Sequence, residues 1–253
     1  MLQKYKDFIS LNISIDGVKE LHDKYRIDYS GEGSFDRAFA AFKDACQYGW
    51  TGSKMTFVPE SFCYIFDSVK FMIENGCEIV SCNYAYEPFY TIEDSKLLYS
   101  QLKKVADYKI KNKIEIPVSI LDNLCGVPID PKEDKNFCGG TGSMLCYSPE
   151  GTAYPCLRYA PISVGEEKAK PMEIGDIYGL FVNPSQIKLK DYLDSITMSS
   201  QSSQECIDCQ IATGCGWCSA YNYEATGEVN KRITNICNAH KARTLAVIYY
   251  KNK

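Results

Sequence analysis

The stretch CIDCQIATGCGWC, residues 206–218, decides the fold: Cys206, Cys209, Cys215 and Cys218 follow one another as C-x2-C-x5-C-x2-C. A two-residue spacer lets two sulfurs face one centre while backbone N–H groups of the turn point at them and offset thiolate charge. Thiolate-only ligation suits an iron–sulfur cluster or structural zinc. Working outward, Cys138, Cys146 and Cys156 precede the stretch and Cys237 follows it, so eight cysteines fall in one part of the chain. Eight thiolates suffice for two four-cysteine centres. The other five, Cys46, Cys63, Cys77, Cys82 and Cys125, sit among apolar neighbours and read as small buried hydrophobes.

The 253 residues include 13 cysteines and 2 histidines, an odd thiol count that cannot pair off completely. With 45% hydrophobic and 24% charged residues the chain has the makings of a folded core. Its 28 basic and 32 acidic residues, a net charge of −4, supply no broad cationic surface for nucleic acid or acidic lipid. The opening MLQKYKDFISLNISIDG has neither an uninterrupted apolar run nor a small-residue cleavage site, so it does not read as a signal peptide. No run is long enough to cross a bilayer. A cytoplasmic location is expected, where thiols stay reduced and metal ligation is favoured over disulfides.

Apolar spacing in the first half alternates between the two regular periods. Residues 8–15, 54–58 and 78–85 read as strands; 34–48, 61–74 and 92–111 read as helices. Strands alternating with helices of that length predict βαβ units and a parallel sheet, an α/β fold. From about residue 114 the pattern breaks into short apolar pieces interrupted by Pro117, Pro128, Pro131, Gly139, Gly140 and Gly142, the mark of a second domain. There, 143–147 and 152–154 flank Ser148-Pro149-Glu150-Gly151 and predict a β-hairpin. Residues 184–196 and 238–250 read as helices, and 206–223 as a cysteine-dense loop.

The cysteine pattern resembles the SPASM domain, the C-terminal extension of many radical S-adenosylmethionine (radical SAM) enzymes that carries auxiliary iron–sulfur clusters. That family's pattern runs C-x9–15-G-x4-C, a gap, C-x2-C-x5-C-x3-C, a gap, and C. Here Cys138 and Gly151 are separated by twelve residues, Gly151-x4-Cys156 and Cys206-x2-Cys209-x5-Cys215 match, and Cys237 is the last cysteine. The spacer Cys215-x2-Cys218 is one residue short of the family's. The resemblance implies two auxiliary [4Fe-4S] clusters with interleaved ligands. One would use Cys206, Cys209, Cys215 and Cys237; the other Cys138, Cys156 and Cys218. Cys146 is either the second set's fourth thiolate or a buried strand residue, and in the latter case that cluster has an iron open to a substrate thiolate or another donor.

The segment Ile13-Ser14-Ile15-Asp16-Gly17 with His22-Asp23 and Arg26, then Gly33-Ser34-Phe35 and the strand Lys54-Met55-Thr56-Phe57-Val58-Pro59, is similar to the radical SAM partial barrel from its fourth strand onward. The resemblance implies that Ser14 and Arg26, twelve residues apart, contact S-adenosylmethionine. A hydroxyl suits a ribose and a guanidinium a carboxylate. The fold implied is the C-terminal half of a partial (β/α)6 TIM-like barrel, residues 1–113, followed by a small cysteine-rich α+β SPASM domain, residues 114–253. The C-x3-C-x2-C motif that binds the family's reductive cluster does not occur in this sequence. S-adenosylmethionine would then serve only in a full-length or complemented enzyme, and the chain is expected to be inactive alone. It is a fragment, one half of a split enzyme, or a remnant.

SPASM proteins mostly modify peptides or proteins. Phe137-Cys138-Gly139-Gly140-Thr141-Gly142 and Tyr154-Pro155-Cys156-Leu157-Arg158-Tyr159 look most like peptide maturases. Sulfatase maturases carry a basic Asp directly after the G-x4-C cysteine; Leu157 stands there, which argues against that activity. Expected partners are a peptide or protein substrate, a separate N-terminal radical SAM half, and an electron donor such as ferredoxin or flavodoxin. Neither nucleic acid nor membrane is expected. Arg158 and Asp176 are polar residues near the first cluster that either touch substrate or are merely solvated or salt-bridged. The alternative to iron–sulfur chemistry is a zinc-binding peptide-recognition or scaffold protein.

Overall fold

The computed structural model describes residues 2–5, 7–8, 11–49, 52–122, 124–130, 132, 134–136, 138, 140 and 143–253. It divides into two compact units, Met1–Gly126 with Asn235–Lys253, and Val127–Thr234.

The first unit has β1 (Asn12–Ser14), α1 (Lys19–Tyr25), α2 (Phe35–Gln47), β2 (Gly52–Phe57), α3 (Ile65–Glu74), β3 (Ile79–Tyr84) and α4 (Ile92–Asn112) in chain order. The three strands form one parallel sheet in the order β1-β2-β3, with Ser14 opposite Lys54 and Lys54 opposite Ser81. Each crossover is helical, as parallel pairing requires. Alternation in β2 and β3 buries Ser53, Met55, Phe57, Val80, Cys82 and Tyr84 on one face, against a core that includes Phe62, Ile65, Val69, Met72, Leu98, Leu102 and Val105. The other face carries Ser14, Lys54, Thr56, Ser81 and Asn83.

Two sequence expectations shift in this unit. The strand expected over 8–15 runs only over Asn12–Ser14 in the described residues, Ile9 and Ser10 lying outside them. The helix expected over 61–74 opens with a 3-10 turn, Pro59–Tyr64, before α3 begins. That turn changes the phase: Phe62 and Ile65 point inward and Cys63 is exposed. Cys77, Cys82 and Cys125 are buried as expected, whereas Cys46 is half-buried.

The unit's boundary also differs from a break at residue 113. Val118 bridges Val80 in parallel, and Ser119 Oγ accepts from Cys82 N at 2.8 Å and donates to Cys82 O at 2.8 Å, so this segment extends the sheet's edge. The C-terminal helix, Cys237–Lys251, packs along α4 through Ala239, Ala242, Ala246 and Val247. Its side chains fasten it there: Asn238 Nδ2 donates to Tyr90 O at 2.9 Å, Arg243 Nε to Ile120 O at 2.9 Å, and Tyr249 Oη to Asp107 Oδ1 at 2.6 Å.

The second unit holds a four-stranded antiparallel sheet, β4 (Cys146–Tyr147), β5 (Thr152–Tyr154), β6 (Gly175–Asp176) and β7 (Gly179–Leu180), with α5 (Pro184–Asp194) and α6 (Ser219–Thr226). The predicted hairpin is β4–β5, closed by Gly151 N donating to Ser148 O at 2.9 Å with Gly151 at φ +91°. Its core gathers Tyr154, Cys156, Tyr159, Met172, Leu193, Ile196, Met198 and Trp217, with Cys138, Cys146, Cys215 and Cys218 packed against it. The helix Ser219–Thr226 stands where a loop was expected, and its N-terminus is capped by Cys218, whose Sγ accepts from Tyr221 N at 3.4 Å.

Candidate metal centre

Three cysteines distant in sequence meet in the second unit. Gly140 sits between two of them: a Cβ there would lie 3.0 Å from Cys156 Sγ, a tight contact, and 3.7 Å from Cys138 Sγ, an ordinary one. Cys138 Sγ lies 3.8 Å from Ser219 Oγ, the residue after Cys218. Ser219 is fully buried and accepts a 2.8 Å hydrogen bond from the buried Tyr159 hydroxyl. Burial pushes the Cys156 thiol up to about 11, and neighbouring Cys218 and Cys138 add to the rise against backbone N–H groups that lower it. Burial likewise raises Cys218, partly offset by Tyr221 N–H and the Arg158 charge. Thiols of this kind lose their protons on binding a metal rather than before it.

Cys146 faces Tyr154 across the hairpin. Cys156 follows β5 by two residues and opens the 3-10 turn Leu157–Tyr159. Cys146 is half-buried against the same core.

Cys206, Cys209 and Cys215 lie on a string of three-residue turns: Cys209 N donates to Cys206 O at 3.4 Å, Ala212 N to Cys209 O at 3.2 Å, and Cys215 N to Ala212 O at 3.0 Å. All three are half-buried. Arg232 Nη2 donates to Cys215 Sγ at 3.0 Å, a cation set against a sulfur, as a thiolate ligand would require. Cys237 belongs to the first unit, where it opens the C-terminal helix. Both sets are made of cysteines, and thiolate is a donor class that fits iron–sulfur clusters. Among the described residues, no three His, Cys, Asp or Glu side chains are already arranged to hold a metal ion. None of the thirteen cysteines, all of them among the described residues, is in a disulfide. Phe137, Gly139, Thr141 and Gly142 of the maturase-like run lie outside the described residues.

In the first unit, Ser14 is exposed on the polar face of the sheet. Arg26 follows α1 and is gripped by a partner that sequence spacing did not reveal: its Nε and Nη2 donate to the Asp16 carboxylate at 2.5 and 3.2 Å. Asp16 is buried and also accepts from Thr56 N at 3.3 Å. The buried His22 completes a ring. Its Nδ1 accepts from Asp16 N at 3.3 Å, so Nε2 carries the proton and donates to Ser34 Oγ at 3.0 Å, and Ser34 Oγ donates to Arg26 O at 2.8 Å. A buried acid just before Gly17, itself at φ +94°, was the available signal for this arrangement. Arg158 is salt-bridged to Glu224 at 2.8 Å, and Asp176 accepts from Tyr178 N and Gly179 N in the β6–β7 turn. No helix in the described residues is long and apolar enough to cross a membrane.

The fold is similar to that of anSMEcpe. Native anSMEcpe with bound AdoMet and Cp18Cys peptide superposes with a TM-score of 0.62 at 16% identity, covering 98% of this chain and 71% of that one. Native anSMEcpe with bound AdoMet gives 0.63 at 15% identity over 99% and 71%. The Kp18Cys peptide complex gives 0.61 at 15% over 98% and 71%. No protein-family model and no curated protein sequence matches the chain.

Proposed function

We propose that this chain is the auxiliary-cluster-bearing portion of a radical SAM/SPASM enzyme that modifies a peptide or protein. Cys138, Cys146, Cys156 and Cys218 ligate one [4Fe-4S] cluster, and Cys206, Cys209 and Cys215 three irons of a second; the assignment of Cys237 as its fourth ligand rests on the sequence pattern. The approach of the Cys138 and Cys156 sulfurs at Gly140, with Cys218 close enough to Cys156 to raise its pKa, carries this reading. A fold shared with a protein that binds AdoMet and a peptide supports the substrate class. When bound, the clusters supply electron relay or an iron that anchors a substrate thiolate.

The chain's own residues bind and orient. Ser14 offers a hydroxyl on the polar sheet face, and Arg26, clamped by Asp16 through Nε and Nη2, presents its remaining Nη1 to the carboxylate of S-adenosylmethionine. Tyr159 and Ser219 fix the floor beneath the first set of sulfurs.

Anaerobic reconstitution of the full chain tests the reading. Brown protein with broad absorbance near ~400 nm and roughly eight irons and eight sulfides per chain is expected. Cys156→Ala, Cys206→Ala and Cys237→Ala should each remove about four irons. Colourless protein holding about two zinc ions instead sinks the iron–sulfur assignment. Unchanged iron in any one variant overturns that ligand.

A further inference from the structure

The Arg232 guanidinium lies against Cys215 of the second set, and no carboxylate of the described residues forms an ion pair with it. Its Nη2 donates to Cys215 Sγ at 3.0 Å, to Gly216 O at 3.3 Å and to Cys215 O at 3.4 Å, while Nη1 reaches Ser202 Oγ at 3.2 Å and the Met198 sulfur. A half-buried charge needs an anion or a cage of dipoles. Here carbonyl oxygens supply the dipoles, and Cys215, as a cluster-ligating thiolate, would supply the anion.

The backbone that presents Arg232 is pinned on both sides. Arg232 N donates to Gln201 O at 3.0 Å, and Ile233 N donates to Asn222 Oδ1 at 3.1 Å. Asn222 is buried, and its Nδ2 donates to Gln201 Oε1 at 2.9 Å and Val229 O at 3.2 Å. This buried network leaves little freedom for the loop that carries the guanidinium.

We propose that Arg232 sets the reduction potential of the second cluster by a charged N–H···S hydrogen bond to Cys215. The inference rests on Cys215 being a ligand of that cluster. Reduction adds one electron and one negative charge without breaking a bond, and a cationic donor on a ligand sulfur stabilises the more negative state more. Arg232 therefore raises the potential and acts as a positioning residue of the cluster's charge, not as a group that touches substrate.

The test is a dithionite titration of the reconstituted chain, followed by electron paramagnetic resonance, for wild type, Arg232→Gln and Arg232→Lys. Arg232→Gln should hold the wild-type amount of iron and sulfide. At a fixed potential it should show about a tenfold lower ratio of reduced to oxidised second cluster, which for a one-electron couple is about 59 mV. Arg232→Lys, which keeps the charge but not the fork, should fall between the two. Equal midpoints in all three at equal iron content overturn the proposal while leaving the cluster assignment standing. Absence of iron from the wild type instead overturns the assignment itself. Should both variants lose the second cluster, the protein with its own Arg232 decides. With arginine labelled by 15N on the guanidinium and Arg158 replaced by Lys, the reduced second cluster should show a 15N hyperfine coupling, and its absence rejects the hydrogen bond.

Discussion

At the scale of single residues, the chemistry of the first unit gathers around His22. Burial, chiefly, lowers its pKa; the Asp16 charge opposes that and Arg26 reinforces it. The folded-state value thus lies below the unfolded one, about 6.5. Between those two values the unfolded chain binds more protons, so stability falls as pH drops through about 6.5 and levels off once the folded state also takes up the proton. Protonating Nδ1 also sets an N–H against the Asp16 N–H that it now accepts. The urea midpoint of the wild type is expected to fall between about pH 7.5 and about pH 5.5 more than that of His22→Gln. Identical slopes would show that His22 does not carry the proton linkage. A second residue, Asn222, belongs to the second unit. Asn222→Ala removes bonds to Gln201, Val229 and Ile233 and leaves buried polar groups unpaired, which costs about 2–4 kcal/mol. Denaturant titration of the second unit measures it, and a change below about 0.5 kcal/mol contradicts the network's role.

Elements with a strong apolar period were legible in the sequence. α2, α4, β2 and β3 stand within a few residues of expectation, because Phe35, Phe42, Leu98, Leu102, Met55 and Val80 recur at the spacing of a single buried face. What escaped detection was held by polar groups instead. α1 is short and charged and exists because His22 is locked into the Asp16 ring; Ser219–Thr226 has little apolar face and is capped by a cysteine sulfur. The cysteine set was legible as a spacing. Its geometry needed the fold, since Gly140, Tyr159, Ser219 and Arg232 carry no motif that ties them to Cys156 or Cys215. α4 allows a test at the element scale. It opens on a reciprocal cap, Thr91 Oγ1 accepting from Asp94 N at 3.1 Å and Asp94 Oδ2 from Thr91 N at 2.8 Å. It ends on Lys113 in the left-handed region at φ +53°. Thr91→Ala should cost about 1 kcal/mol and Lys113→Gly should gain about 0.5–1 kcal/mol, opposite signs on one helix. Thermal denaturation reads both, and destabilisation by Lys113→Gly would mean that the lysine side chain contributes more than its backbone strain costs.

At the scale of the whole molecule, the two units differ in what holds them. Met1–Gly126 with Asn235–Lys253 has a parallel sheet, long helices and a continuous core of Phe, Ile, Leu and Val side chains. Val127–Thr234 has strands of two or three residues, and Cys156 lies in its core with Cys138, Cys146, Cys215 and Cys218 packed against it. A small unit with so little regular structure would, with the proposed clusters bound, gain a share of its folding free energy from metal bonds that exist only in the folded state. Stripping iron from the reconstituted chain with a chelator should therefore act unevenly. Hydrogen exchange in β5 and in Ser219–Thr226 is expected to accelerate about tenfold or more, about 1.4 kcal/mol per tenfold, while β2, β3 and α4 keep their protection. Uniform acceleration across both units would tie the metal to global stability. Unchanged protection in β5 after complete loss of iron would mean that the cysteine-lined core folds on apolar packing alone, with the clusters as passengers whose value is chemical only.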